Sequence, residues 1–137
     1  MGLFYLDASA LVKLLRDEPE TTALRTFLAD DDLVCCELCL VEVPRAIRRA
    51  AAWQPRLPIE ILLDRAAELL GALGLLPLDR QSLEAAGAIT EPALRALDAI
   101  HVIAAAAVSP LDAFVSYDER QSAAARLAGL RTVAPGA

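Results

Sequence analysis

LFYLDASALVKLL, residues 3–15, decides how the chain is to be read. Leu3 to Leu6 is an apolar run of strand length, and it stops at Asp7. Ala8 to Arg16 then carries apolar residues at helical spacing, with Asp7 or Ser9 placed near its start as a cap. A strand that hands an aspartate straight to a helix fits a parallel sheet, where ligands gather beyond the carboxyl ends of the strands.

The alternation continues outward from there. Leu33 to Cys36, Leu75 to Leu78, Ala113 to Ser116 and Leu130 to Val133 read as strands. Thr21 to Ala29, Leu38 to Ala52, Ile59 to Leu73, Leu94 to Val108 and Glu119 to Ala128 read as helices. A further helix begins near Asp79 or Ser82 and runs to about Ile89, and Gly129 stops the last one. Strands separated by helices predict an α/β fold, a parallel sheet with helices on both faces. No repeat, low-complexity segment or linker interrupts the pattern, so residues 1–137 are expected to form one domain.

Composition agrees. Hydrophobic residues make up 56% of the 137 residues and aromatics only 4%, so Leu, Val, Ile and Ala must fill the core. No uncharged apolar run reaches the ~18 residues of a membrane span. The chain meets Asp7 almost at once and carries no basic leader, so no signal peptide is expected. Cys35, Cys36 and Cys39 are an odd, clustered set, which points to a reducing cytoplasm. The run CCELC raises zinc, but a structural zinc site wants four ligands and only His101 could join, from afar. The reading taken is three small apolar residues in a buried strand and the helix after it.

Four acids stand where chemistry is expected. Asp7 and Asp118 follow strands, Glu42 lies on the first turns of a helix, and Asp98 lies near the start of the apolar one. An Asp after a strand is also an ordinary helix cap; Asp79 has that look and is read as a cap alone. Glu42 and Asp98 are harder to dismiss. Each sits among apolar neighbours, where an ionised carboxylate is costly unless paired or bound to metal. The plainer alternative is a helical ion pair, Glu42 with Arg45 or Asp98 with Arg95. Together, the carboxylates suit a hard cation such as Mg²⁺, with Mn²⁺ as the other choice. His101, one turn after Asp98, is read as a packed or supporting residue rather than a ligand.

The stretches FYLDASALVKLL, LVEVPRAIRRA, LRALDAIHVIAAA and FVSYDERQSAAARLAGL, in this order, resemble a PIN domain of the VapC toxin class. The resemblance covers nearly the whole chain. It implies a three-layer α/β/α sandwich and a Mg²⁺- or Mn²⁺-dependent ribonuclease, commonly a dimer. It implies an antitoxin partner whose tail enters the active-site groove, and tRNA or rRNA as substrate. Its acidic site maps to Asp7, Glu42, Asp98 and Asp118, with Ser9 and Ser116 as supporting hydroxyls. Cys36 departs from the Ser or Thr of many relatives, and a thiol caps poorly.

The mechanism expected is metal-assisted hydrolysis, with Asp7, Asp98 and Asp118 holding the metal and Glu42 orienting the attacking water. Arg45, Arg48 and Arg49 share a helical face suited to substrate phosphates or an acidic antitoxin segment. A net charge of −6 argues against tight non-specific nucleic-acid binding and suits a basic protein partner. A catalytically inactive PIN fold that only binds RNA or protein is the rival, and the presence of all four acids disfavours it.

Overall fold

The computed structural model describes residues 2–108 and 110–137. In chain order the elements are β1 (Leu3–Leu6), α1 (Ala8–Leu15), α2 (Thr21–Leu28), β2 (Asp32–Cys36), α3 (Cys39–Trp53), α4 (Ile59–Ala72), β3 (Gly74–Leu76), α5 (Arg80–Gly87), α6 (Ala96–Ala106), β4 (Ala113–Val115), α7 (Glu119–Leu127) and β5 (Thr132–Val133). The strands form one sheet in the order β3-β2-β1-β4-β5, with every pairing parallel.

That order explains the layers. The chain walks from β1 outward to β3, then crosses back to β4 on the other side of β1 and steps on to β5. Parallel crossovers are right-handed, so reversing the walk moves the helices to the opposite face. α1 packs with α2, α3 and α4, while α6 packs with α5 and α7, giving an α/β/α sandwich. The reversal leaves a switch point between β1 and β4, where open α/β sheets bind ligands. Register there pairs Tyr5 with Phe114 and Leu6 with Val115, so the residues that follow both strands emerge side by side.

The core is built mainly from aliphatic residues. Leu11, Leu15, Leu24 and Leu28 are buried on α1 and α2, which makes most of the leucine-rich first helices ordinary core. Tyr5 stacks on Phe114 with ring centroids 5.2 Å apart. Among the described residues no helix is long and apolar enough to cross a membrane.

Some boundaries differ from the sequence reading for physical reasons. The apolar helix starts at Ala96 rather than Leu94, because a turn at Glu91–Leu94 precedes it and Arg95 is extended. The third strand spans Gly74–Leu76 rather than Leu75 to Leu78. A Cβ on Gly74 would lie 2.9 Å from Val34 Cγ1, so glycine permits the close approach of β2. Gly129 ends α7 with φ of +87°, the left-handed conformation that glycine adopts without penalty.

Candidate active site at the sheet switch point

Asp7 follows β1 and caps α1, accepting from the Ala10 N–H at 3.0 Å. Capping is only part of its bonding. Ser9 Oγ donates to Oδ1 at 2.6 Å, Ser116 Oγ donates to Oδ2 at 2.6 Å, and Gln121 Nε2 donates to Oδ2 at 3.2 Å. Ser9 Oγ also accepts from Tyr117 N–H, and Ser116 Oγ from Asp118 N–H, so the two hydroxyls tie the end of β1 to the segment after β4. Burial raises the Asp7 carboxyl above its ordinary value, although the hydrogen bonds from Ser116, Ser9 and Ala10 oppose that rise.

Asp118 caps α7 through Oδ1, which accepts from Arg120 and Gln121 N–H at 3.0 and 3.4 Å. Its Oδ2 takes no part in the cap. Asp98 is half-buried in the first turn of α6. Its pKa is raised by burial and then by the charges of Asp118, Glu42 and Asp7, with His101 in partial opposition. Among the described residues it accepts no hydrogen bond and pairs with no cation. Local repulsion among carboxylates is what a bound cation relieves.

Glu42 stands on the first turns of α3, and Leu38, which precedes that helix, offers no side-chain cap. Neither expected helical ion pair forms among the described residues: Arg45 does not reach Glu42, nor Arg95 Asp98. Glu42 Oε1 instead meets His101 Nε2. His101 Nδ1 is hydrogen-bonded to Tyr5 OH at 2.7 Å and lies 3.8 Å from Cys36 Sγ. Burial works against charge on this imidazole, yet the hydrogen bonds to Cys36 and Glu42 win and push its pKa up to about 10.

Asp7, Glu42, Asp98 and Asp118 therefore line one cavity of about 180 Å³, with Ser9, His101 and Gln121 in its wall. Arg45 and Arg49 line an adjacent groove of about 570 Å³ with Ser9, Glu42 and Tyr117. Arg49, Arg95 and Arg120 share a third opening with Glu42, Asp98 and Asp118. Arg48 is exposed and lines none of the three, so the basic face splits. Lys13 borders the groove but is bound to Glu20 at 2.9 Å and lies over the Tyr117 ring. Gln121 and Tyr5 escaped the sequence reading. The signal for Gln121 was its place one turn before Ala124 and Ala125, a helical stripe that proves buried.

Oxygen donors from four separate chain segments suit a hard divalent cation. They meet beyond the carboxyl ends of parallel strands. The family model described as PIN domain matches residues 4–127. Ribonuclease VapC47 of Mycobacterium tuberculosis (strain CDC 1551 / Oshkosh) is 41% identical, over 98% of both chains. Ribonuclease VapC35 of the same strain is 38% identical with the same coverage. A crystal structure of the Mycobacterium tuberculosis VapC20, a sarcin–ricin loop cleaving toxin, superposes with a TM-score of 0.71. It is 17% identical, with 96% of this chain and 99% of that one covered. Sequence, sheet order and relatives agree: the chain belongs to the PIN domain family, with VapC ribonucleases among its relatives.

Proposed function

We propose that the protein is the endoribonuclease toxin of a toxin–antitoxin pair, hydrolysing RNA phosphodiester bonds at the four-carboxylate site with Mg²⁺ or Mn²⁺. The observation that carries this reading is the convergence of Asp7, Glu42, Asp98 and Asp118 on one cavity, with Asp98 half-buried and unpaired. RNA as the substrate is supported by the relatives' names, all of them ribonucleases. A cytoplasmic location follows from that role and from three free cysteines.

Asp7, Asp98 and Asp118 would hold the cation; when bound, it lowers the pKa of a water and offsets charge growing on the phosphate oxygens. The chain's own residues do the positioning. Ser9, Ser116 and Gln121 fix both oxygens of Asp7. His101 fixes Glu42 at Oε1, leaving Oε2 to orient the attacking water. Attack forms a new P–O bond and breaks the bond to the leaving ribose oxygen. Water as nucleophile does not need the 2′-hydroxyl, so the choice of RNA over DNA falls to shape and groove contacts. Arg45 and Arg49, with Arg48 further out, provide guanidinium groups for phosphates of a tRNA or rRNA loop. The same groove is where an antitoxin tail would compete, within a homodimer or a mixed toxin–antitoxin assembly.

The test is purified protein with structured RNA, single-stranded RNA and DNA, in Mg²⁺, Mn²⁺ or EDTA. Cleavage of RNA that needs the ion and vanishes in Asp98→Asn is expected. Cleavage that persists in EDTA or in the variant overturns the mechanism. Metal binding without cleavage of any RNA favours the rival, an inactive binding module.

A further inference from the structure

Behind the carboxylate cavity lies a second group of ligand-type side chains that the proposed hydrolysis leaves unused. Cys35 and Cys36 end β2 and Cys39 begins α3, and all three are free thiols with no exposure. The distance in sequence that argued against zinc is closed by the fold. α6 packs against β2 and brings His101 onto the cysteines. The Sγ atoms of Cys35 and Cys36 and a ring nitrogen of His101 all lie within 4.8 Å of one another. Cys39, at the start of α3, is buried beside this group but outside the 4.8 Å cluster, so its sulfur must swing inward to serve as the fourth ligand.

The Cys36–His101 pair has the spacing of two ligands on one tetrahedral ion. Zinc bonds of about 2.3 Å to sulfur and about 2.0–2.1 Å to imidazole nitrogen put the two ligand atoms about 3.6 Å apart. Cys36 Sγ and His101 Nδ1 are 3.8 Å apart. Three sulfurs and one imidazole are a recurrent donor set of closed structural zinc sites, which are buried and shed their water. The far side of the ring agrees as well. A metal-bound histidine commonly donates its other N–H to a carboxylate, which fixes tautomer and ring orientation. His101 Nε2 already meets Glu42. What stands in the way is the Tyr5 hydroxyl, 2.7 Å from Nδ1; it retains the Cys36 N–H at 3.3 Å if it yields that nitrogen.

We propose that Cys35, Cys36, Cys39 and His101 Nδ1 form a buried site for one soft divalent cation of the Zn²⁺ class, separate from the hard-cation carboxylates. His101 is then the joint between the two sites, metal on one nitrogen and Glu42 on the other. The ion is acquired as the chain folds, since the closed cluster offers no path from solvent. The inference does not depend on the nuclease reading.

The full chain is refolded with Zn²⁺ or with Co²⁺, and two quantities are read: metal per chain after desalting, and thiolate-to-cobalt charge-transfer absorption. About one Zn²⁺ per chain and a sulfur–cobalt band are expected, and both survive in Asp98→Asn, which disables only the carboxylate site. Cys36→Ser and Cys39→Ala each lower metal content about tenfold or more and abolish the band, with circular dichroism verifying the fold. Glu42→Gln weakens binding about 10-fold to 100-fold through His101. Full-chain protein that retains less than about a tenth of an equivalent of zinc overturns the proposal. So does a cobalt band that is unchanged in whichever cysteine variant folds.

Discussion

Asp7 and Asp79 look alike from the backbone. Each follows a strand segment in extended conformation and caps a helix through Oδ1, one at Ala10 N–H and the other at Ser82 N–H. Around them everything differs. Asp79 is exposed, and its carboxyl lies below the ordinary value because the bonds from Ser82 favour the charge. Asp7 is 3% exposed and takes three further hydrogen bonds, from Ser9, Ser116 and Gln121, yet burial still raises its pKa. A cap stabilises its helix locally, whereas a carboxylate held charged against its solvation needs outside support. Here that support comes from α1, α7 and the residue after β4, at the sheet switch point, and Asp79 at the β3 edge has no such donors among the described residues.

The largest effect should separate the pair by activity. Asp7→Asn keeps the shape and removes the charge. If Asp7 holds the cation, RNA cleavage falls on the order of 10³-fold, since a metal's contribution is several kcal/mol and each 1.36 kcal/mol is a factor of ten. Asp79→Asn leaves the rate unchanged. A single-turnover cleavage assay on both variants decides it, and equal rates would break the comparison.

Stability should separate them next. Asp7→Ala strips an acceptor from Ser9, Ser116, Gln121 and Ala10. Orphaned buried donors cost about 1–3 kcal/mol each, and hydroxyls that can turn recover part of it. Removing a poorly solvated charge offsets more, so a net loss of about 3 kcal/mol is expected in urea unfolding. A loss no greater than that of an exposed cap would mean that the three side-chain donors find other partners.

How far these differences were legible from the residues depends on sequence separation. The strand ends, the caps and the layered fold follow from local runs such as LFYLDAS and FVSYD. Asp98 drew attention because a charge inside LDAIHVIAAA is costly unless paired or bound to metal. What stayed hidden were pairs made across the fold: Tyr5 with His101, Glu42 with His101, and Asp7 with Gln121, separated by 96, 59 and 114 positions. The local rule even misled. It offered Arg45 and Arg95 as partners three residues away, whereas His101 takes Glu42 and Asp98 is left to its acidic neighbours.

That crowding predicts a metal effect of slightly smaller size. A ligand present at a hundred times its Kd adds about 2.7 kcal/mol, so saturating Mg²⁺ should raise Tm by roughly 8 °C in a protein of this length. The sign with pH follows from the raised pKa of Asp98. Its proton binds more tightly in the metal-free fold than in the unfolded chain, where the value is about 3.9. Stability from that proton is complete below the unfolded value and is lost as pH rises through the folded one. Added Mg²⁺ should therefore stabilise most near neutral pH and progressively less in mild acid, where it competes with the proton. A Tm shift in Asp98→Asn equal to that of the wild type would place the ion elsewhere.

The smallest effect belongs to the other member of the pair. Asp79→Ala removes one side-chain hydrogen bond at an exposed helix start, and Arg80 and Glu84 of the same helix still pair at 2.7 Å. Loss of such a cap weakens only the helix start, less than the loss at Asp7. The pH dependence should run opposite to that of Asp98. A depressed folded pKa contributes stability above the unfolded value and loses it as pH falls through the folded one. The difference in unfolding free energy between wild type and Asp79→Ala should thus shrink in acid and ignore Mg²⁺ altogether. A gap that responded to Mg²⁺ would mean that the β3 edge also feels the ion, and the contrast between cap and site would dissolve.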